Sequence, residues 1–340
     1  MKLLTLTLLC AAALAAQNPY HVITKYLVSG EGGWDYVTVD SAARRLYISH
    51  ATQVNVLDVD SGKPVGVIPD TPGVHGIAIA PQFKHGFTSN GREDKVSMFN
   101  PADLSLIKKI DVGKGPDGIY YDAGSKRVFT CNHGTDDITA IDAATGNVVG
   151  TVKVEGAGEA VITARDGLIY VNLEDKAEVV AFDPHTLAVR HRYPIGVAKT
   201  PTGLAYDSKT NRLFIGCRET PMMVVMDASN GKVITHFPIG AGVDWASWDA
   251  ARKIVFTSSG DGSLGVFHQK SADEYEDLGA VQTQPSAKTM AFDANTGKVF
   301  LPAAEFDVKP ASEPGKRPSR TVKPAPSWCW SSAGNLLHSG

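Results

Sequence analysis

Ile119-Tyr120-Tyr121-Asp122, a polar turn, and then Arg127-Val128-Phe129-Thr130-Cys131-Asn132 form the stretch that decides the fold. An apolar run closes on aspartate, the chain turns, and a basic residue opens a second run with an apolar–aromatic pair. The same pattern returns along the chain. Val37-Thr38-Val39-Asp40 leads to Arg45-Leu46-Tyr47, and Leu204-Ala205-Tyr206-Asp207 leads to Arg212-Leu213-Phe214. Ala246-Ser247-Trp248-Asp249 leads to Lys253-Ile254-Val255-Phe256, and Met290-Ala291-Phe292-Asp293 leads to Lys298-Val299-Phe300. Two weaker copies, Ile77-Ala78-Ile79-Ala80 before Phe87 and Val161-Ile162-Thr163 before Ile169-Tyr170, fill the gaps.

The period is regular. Asp207 to Asp249 is 42 residues and Asp249 to Asp293 is 44, while Asp40 to Asp122 (82) and Asp122 to Asp207 (85) are each two repeats. A second ladder of turn residues, Asp58, Asn100, Asp142, Asp183, Asp227 and His268, keeps the same step. An Asx side chain at such a place bonds the backbone of its own turn. Each repeat holds four short runs, too short and too rich in β-branched residues for helices. Four strands per repeat and seven repeats predict an all-β fold, a seven-bladed β-propeller of four-stranded antiparallel blades. Val22-Ile23-Thr24-Lys25-Tyr26-Leu27-Val28 reads like the last strand of the other repeats, so it is expected to close the last blade from the N-terminal side. Closure of this kind removes open sheet edges.

With 43% hydrophobic and 20% charged residues, the chain suits a folded globular protein. A formal net charge of −3 leaves no basic footprint for nucleic acid. No apolar run reaches the length of about 20 residues that a membrane span needs. Residues 1–15 read as a signal peptide, with Lys2, a short apolar stretch and the small-x-small site Ala13-Leu14-Ala15. That predicts a periplasmic or secreted protein, with a propeller over 20–324. Cys131, Cys217 and Cys329 are an odd number; the first two fall in different, non-adjacent repeats and are expected as half-buried strand residues rather than a disulfide framework.

Phe87-Thr88-Ser89-Asn90 and Phe129-Thr130-Cys131-Asn132, each followed by a second apolar run, resemble the Tyr-Val-Thr-Asn repeat of bacterial YncE-like propellers. The resemblance implies an exported seven-bladed propeller, frequently without an assigned activity, and brings no diagnostic catalytic motif. Some members extend the last blade with a Pro-rich loop. Leu301-Pro302-Ala303-Ala304-Glu305-Phe306 followed by a Pro-rich loop over 307–320 is similar to that extension. Residues 325–340 depart from the pattern. They read as an aberrant or disordered tail with no strand to bury. One choice of codons for Ala325 to Gly334, read two bases later, encodes a valine-rich strand, so a frameshift is one origin for this tail.

Propeller ligands usually sit where the innermost strands begin, at the mouth of the channel. Five residues before each anchor aspartate, the ring reads Asp35, His75, Asp117, Glu159, Thr202, Asp244 and Lys288. Crowded carboxylates need a cation, a protonated histidine or raised pKa values. Asp35, Asp117, Glu159 and Asp244 are therefore the metal-ligand candidates. Ca²⁺ or another divalent ion suits them, and no organic cofactor is predicted. Arg92, His133 and Arg218 join the candidate ligand-binding set from neighbouring loops, together with His50, Asn90, Asn132, Asp136, Glu219, Asp261 and Glu305. Trp34 and Trp245 offer flat faces, either for stacking on a ligand or for packing between blades. The expected role is a monomeric binding or interaction scaffold for a small molecule or an extracytoplasmic protein. The alternative is a lactonase-like hydrolase with Glu159, Asp117 and His75 as acid–base candidates, with or without a divalent ion.

Overall fold

The computed structural model describes residues 18–30, 32–309, 319–322 and 327–334. The signal-peptide reading of residues 1–15 and most of the Pro-rich loop lie outside these residues. The described chain is all β apart from one short 3₁₀ turn, Pro81–Phe83. Among the described residues, no helix is long and apolar enough to cross a membrane.

The first blade shows how the repeat folds. Its strands are Trp34–Asp40, Arg45–His50, Gln53–Asp58 and Pro64–Ile68, joined in that order into an antiparallel sheet. The inner turn is tight because Asp40 Oδ1 accepts from the backbone N–H groups of Ala42 and Ala43. The second strand is buried almost throughout, and the outer strand is largely exposed. The aromatic residue of each repeat, Tyr47, Phe87, Phe129, Tyr170, Phe214, Phe256 or Phe300, is fully buried. Burying each is worth about 2–3 kcal/mol before entropy is counted, which explains why the apolar–aromatic pair recurs.

The expectation of a seven-bladed propeller is corrected, because the structure shows six blades of consecutive strands and a closing sheet of different build. Six blades are each built of four consecutive strands, over residues 34–68, 74–111, 116–152, 158–194, 201–238 and 243–282. The strands that close the ring do not form another copy of this unit. They are Ala291–Asp293, Lys298–Ala303, Ser327–Gly334 and Tyr20–Val28, a composite drawn from both ends of the chain. The inner strand of this closing sheet is reduced to three residues.

The tail corrects a second expectation, because residues 327–334 do form a strand. It pairs with Lys298–Ala303 on one side and Tyr20–Val28 on the other, with Trp330 opposite both Leu301 and Lys25. Backbone pairing supplies this strand, so an apolar sequence is not required for it. Ser319–Val322 pairs with Phe306–Lys309, making the two ends of the Pro-rich loop a small hairpin. Cys131 and Cys217 are free and wholly buried, not half-buried.

A relay of side chains ties each inner strand to its neighbour. Thr38 Oγ1 donates to Ile77 O at 2.8 Å, and Ser89 Oγ donates to Asp117 O. His133 Nε2 lies 2.7 Å from Gly158 O, and Asn172 Nδ2 donates to Gly203 O at 2.9 Å. Thr202 Oγ1 donates to Val243 O at 3.0 Å, and Ser258 Oγ to Lys288 O at 2.6 Å. Thr289 Oγ1 then donates to Asp35 O, which returns the relay to the first blade.

Candidate functional site

Each of the six complete blades shifts register as its inner strand begins. The shifts fall between Trp34 and Val37, Val74 and Ile77, Pro116 and Ile119, Gly158 and Val161, Pro201 and Gly203, and Val243 and Trp245. A bulge of this kind bends the strand and re-aims a side chain. Asp35, His75, Asp117, Glu159, Thr202 and Asp244 all lie inside these shifts. Lys288 precedes the short inner strand of the closing sheet.

Six of these seven side chains join one chain of polar contacts. Lys288 Nζ pairs with Asp244 Oδ2 and lies 3.4 Å from Asp35 Oδ1. Asp35 Oδ2 is 2.7 Å from His75 Nδ1, which is 3.7 Å from Asp117 Oδ2. His133 continues the chain, with Nδ1 3.8 Å from Asp117 Oδ2 and Nε2 3.4 Å from Glu159 Oε2. Thr202 stands outside it, buried and bonded to backbone. Asp244 is almost wholly buried and is held by Arg218 as well as Lys288.

Two residues that the repeat pattern did not single out complete the site. The Tyr36 phenol reaches across from the first blade and donates to Glu159 Oε1 of the fourth. Arg218 also contacts Glu174 Oε1, at 3.3 Å. A signal for Tyr36 was present. The position after each ring residue reads Tyr36, Gly76, Gly118, Ala160, Gly203, Trp245 and Thr289, so two bulky aromatics stand among mostly small residues. Tyr36 and Trp245 pack edge-on, with ring centroids 5.1 Å apart. Trp34 packs instead against Phe306, at 5.6 Å.

Several loop candidates organise their own turns. His50 is buried against Asn55 Oδ1 and Gly32 O, at 3.1 and 3.2 Å. The Asn90 and Asn132 amides donate to Glu93 and Asp137 within the same turns. Asp261 accepts from Ser263 and from Ala241 N–H. Thr200 Oγ1 donates to Glu219, and Asp136 occupies a left-handed turn position with φ 53°. Glu305 lies just past the second strand of the closing sheet.

Residues of this layer line two cavities. The outer one, about 290 Å³, is lined by Trp34, Asp35, His75, Arg92 and Lys288 among others. Among the described residues, the Arg92 side chain has no hydrogen-bond or ion-pair partner. The inner cavity, about 340 Å³, runs along the inner strands between Ile77, Ile119, Val161 and Leu204, with Tyr36, Glu159 and Trp245 in its wall.

Crowding sets the protonation of the layer. Burial, reinforced by Glu159, pushes the Asp117 carboxyl up to about 7 against the pull of His75 and His133. Burial pulls the His133 imidazole down, but its bond to Glu159 and the charges of Asp117 and Glu159 outweigh this and raise it to about 9. His75 is raised likewise, its bond to Asp35 prevailing over burial. Burial acts to raise Asp35, yet His75 and Lys288 hold it below the usual carboxylate value. Burial and Glu159 raise Glu174. The layer therefore shares protons among closely spaced carboxylates and imidazoles at neutral pH. Such a set can bind a cation, or give and take a proton.

A family model for YNCE-like beta-propeller proteins matches residues 77–241. This match supports the resemblance seen in the Phe-Thr-x-Asn strands. No curated protein matches the chain. Among solved structures, Kuenenia stuttgartiensis hydrazine synthase is similar at 15% identity with a TM-score of 0.71, over 80% of this chain and 93% of that one. U3-55K is similar at 11% identity with a TM-score of 0.74, over 92% of this chain and 98% of that one. The WD40 repeats of RRP9 give 11% identity and a TM-score of 0.74, over 93% and 98%. At these identities the likeness is one of fold, a β-propeller.

Proposed function

We propose that this chain is an exported member of the YncE-like propellers and binds a small polar molecule at its channel mouth. Export rests on the leader-like residues Met1 to Ala16. The observation that carries the binding reading is the outer cavity, where the unpartnered Arg92 guanidinium shares a wall with the Asp35–His75 pair. A guanidinium takes carboxylate or phosphate oxygens through two parallel N–H donors. The Asp35–His75 side takes hydroxyl or amine donors. A small hydroxy acid or sugar phosphate has both kinds of group, and 290 Å³ is near the lower end of ligand-pocket sizes.

The test is calorimetry of the full chain with a panel of hydroxy acids and sugar phosphates, repeated on Arg92→Gln. At least one compound should bind, and the substitution should weaken it about tenfold or more, the scale of one lost charged hydrogen-bond pair. A panel without a binder, or a binder indifferent to Arg92, removes this reading.

The second reading, a lactonase-like hydrolase, is favoured by one feature. Asp117, held near 7 between two imidazoles, matches what a general acid–base group needs at neutral pH. Lactone hydrolysis that survives both Asp117→Asn and Glu159→Gln, or none in the unaltered chain, would dismiss it.

A further inference from the structure

The mouth holds two donor groups that share one residue. Asp35, His75 and Asp117 bring one donor atom each within 4.8 Å of one another, and Asp117, His133 and Glu159 do the same. Asp117 Oδ2 lies 3.7 Å from His75 Nδ1 and 3.8 Å from His133 Nδ1. These distances are too long for hydrogen bonds. Two donors on one transition-metal ion, with bonds of about 2.0–2.2 Å, stand roughly 3.0–3.5 Å apart. A shift of a few tenths of an ångström, with the proton shared by His75 Nδ1 and Asp35 Oδ2 released to solvent, therefore seats an ion beside either imidazole.

Two further observations point the same way. Asp117 Oδ1 is shielded from solvent and has no hydrogen-bond partner. A buried oxygen left in this state is costly unless something else occupies its lone pairs. His133 Nε2 sits 2.7 Å from Gly158 O and donates to it, so Nδ1, which faces Asp117, is the nitrogen whose proton an ion would displace. A metal-ligating histidine almost always has its other nitrogen held in this way.

We propose that the channel mouth binds a pair of divalent transition-metal ions bridged by Asp117, one on Asp35 and His75 and the other on His133 and Glu159. Paired imidazole and carboxylate donors favour the zinc and manganese class over Ca²⁺, which takes oxygen ligands. Asp244 is not a ligand, because it belongs to neither donor group and is held by Arg218 and Lys288. The proposal deepens the reading of the mouth as the ligand site, since two ions beside the outer cavity are a seat for the anionic end of that ligand.

The experiment strips the full chain with a chelator, dialyses it against Zn²⁺ or Mn²⁺, and measures metal per chain by plasma mass spectrometry and affinity by calorimetry. Two ions per chain are expected. His75→Gln and His133→Gln should each lower this to one, and Asp117→Asn should weaken both sites tenfold or more, with circular dichroism checking the fold. If Asp117→Asn does not fold, the two histidine variants decide alone. One ion or none in the unaltered chain, tighter binding of Ca²⁺, or a count unmoved by both histidine substitutions overturns the proposal. Anion binding that depends on Arg92 in a chain that takes up no metal would overturn the metal pair and leave the ligand reading standing. Two ions with no anion bound would remove the ligand reading alone.

Discussion

Tyr36 and Glu159, on opposite sides of the central channel, are joined by a hydrogen bond from the phenol to Oε1. The Tyr36 ring leans on Trp245, and both rings line the inner cavity together with Glu159. Burial and the charges of Glu159, Asp117 and Asp35 keep the phenol protonated far above its ordinary range. It therefore serves Glu159 as a permanent donor. Tyr36→Phe keeps the ring and leaves Oε1 with a lost partner in a buried place. The expected loss is about 1–3 kcal/mol, read by urea unfolding with an unchanged m-value. A loss under about 0.5 kcal/mol would mean that water replaces the phenol.

The closing sheet is latched to the first blade through Asp293. Its fully buried carboxylate accepts from Ser41 Oγ at 2.6 Å, Arg44 at 2.9 Å and Thr296 Oγ1 at 2.6 Å. Burial acts to raise its pKa, but these donors together hold it below 3.8. The folded state thus binds this proton less readily than the unfolded chain does. The latch is at full strength above the unfolded value of 3.8 and fades as pH falls through the lower folded value. Asp293→Asn should cost about 3 kcal/mol at neutral pH. The difference between the two proteins should stay level from about pH 7 to 5 and shrink below about 4. A gap in thermal midpoint that persists unchanged to pH 3 would show that shape, not charge, makes the latch.

The repeat was legible because its cause is local. An aspartate that caps a turn and an aromatic that packs between blades recur at a fixed step, whatever the rest of the chain does. The mouth residues were legible for the same reason, since Asp35, His75, Asp117, Glu159 and Asp244 occupy one position of that step. His133 came from the adjoining loop, but its place between Asp117 and Glu159 depends on how two blades meet. Tyr36 reaches a partner 123 positions away, and no local pattern encodes such a contact. The closing sheet was harder still. The strand over residues 327–334 lacks the apolar run that marked the others, and its backbone pairing on both sides has no signature in side-chain type.

Asp244 is nearly inaccessible and is held by two cations, Arg218 and Lys288. Arg218→Met removes one and leaves a buried carboxylate with a single partner. The expected cost is about 2–4 kcal/mol, somewhat below that of an unpaired buried charge because Lys288 remains. Adding Asp244→Asn should recover part of the loss, so the double variant should be more stable than the sum of the two singles. Strict additivity in denaturant unfolding would show that Arg218 acts through packing or through Glu174 instead.

Gly118 follows Asp117 in the bulge of the third blade, where the inner strand of the fourth blade comes closest. A Cβ added there would stand 2.0 Å from Glu159 O, which is backbone and has little room to yield. Gly118→Ala should therefore push the two inner strands apart, at a cost of about 2–3 kcal/mol from overpacking alone. It should also shift Glu159 away from both Tyr36 and His133. Gly33 makes the control. It lies at the same mouth, its φ is not positive, and a Cβ there meets nothing within 4 Å. Gly33→Ala should change stability by less than about 0.5 kcal/mol. Guanidinium unfolding of the two variants reads the contrast directly. If both fall equally, the close approach of the blades is not what Gly118 serves.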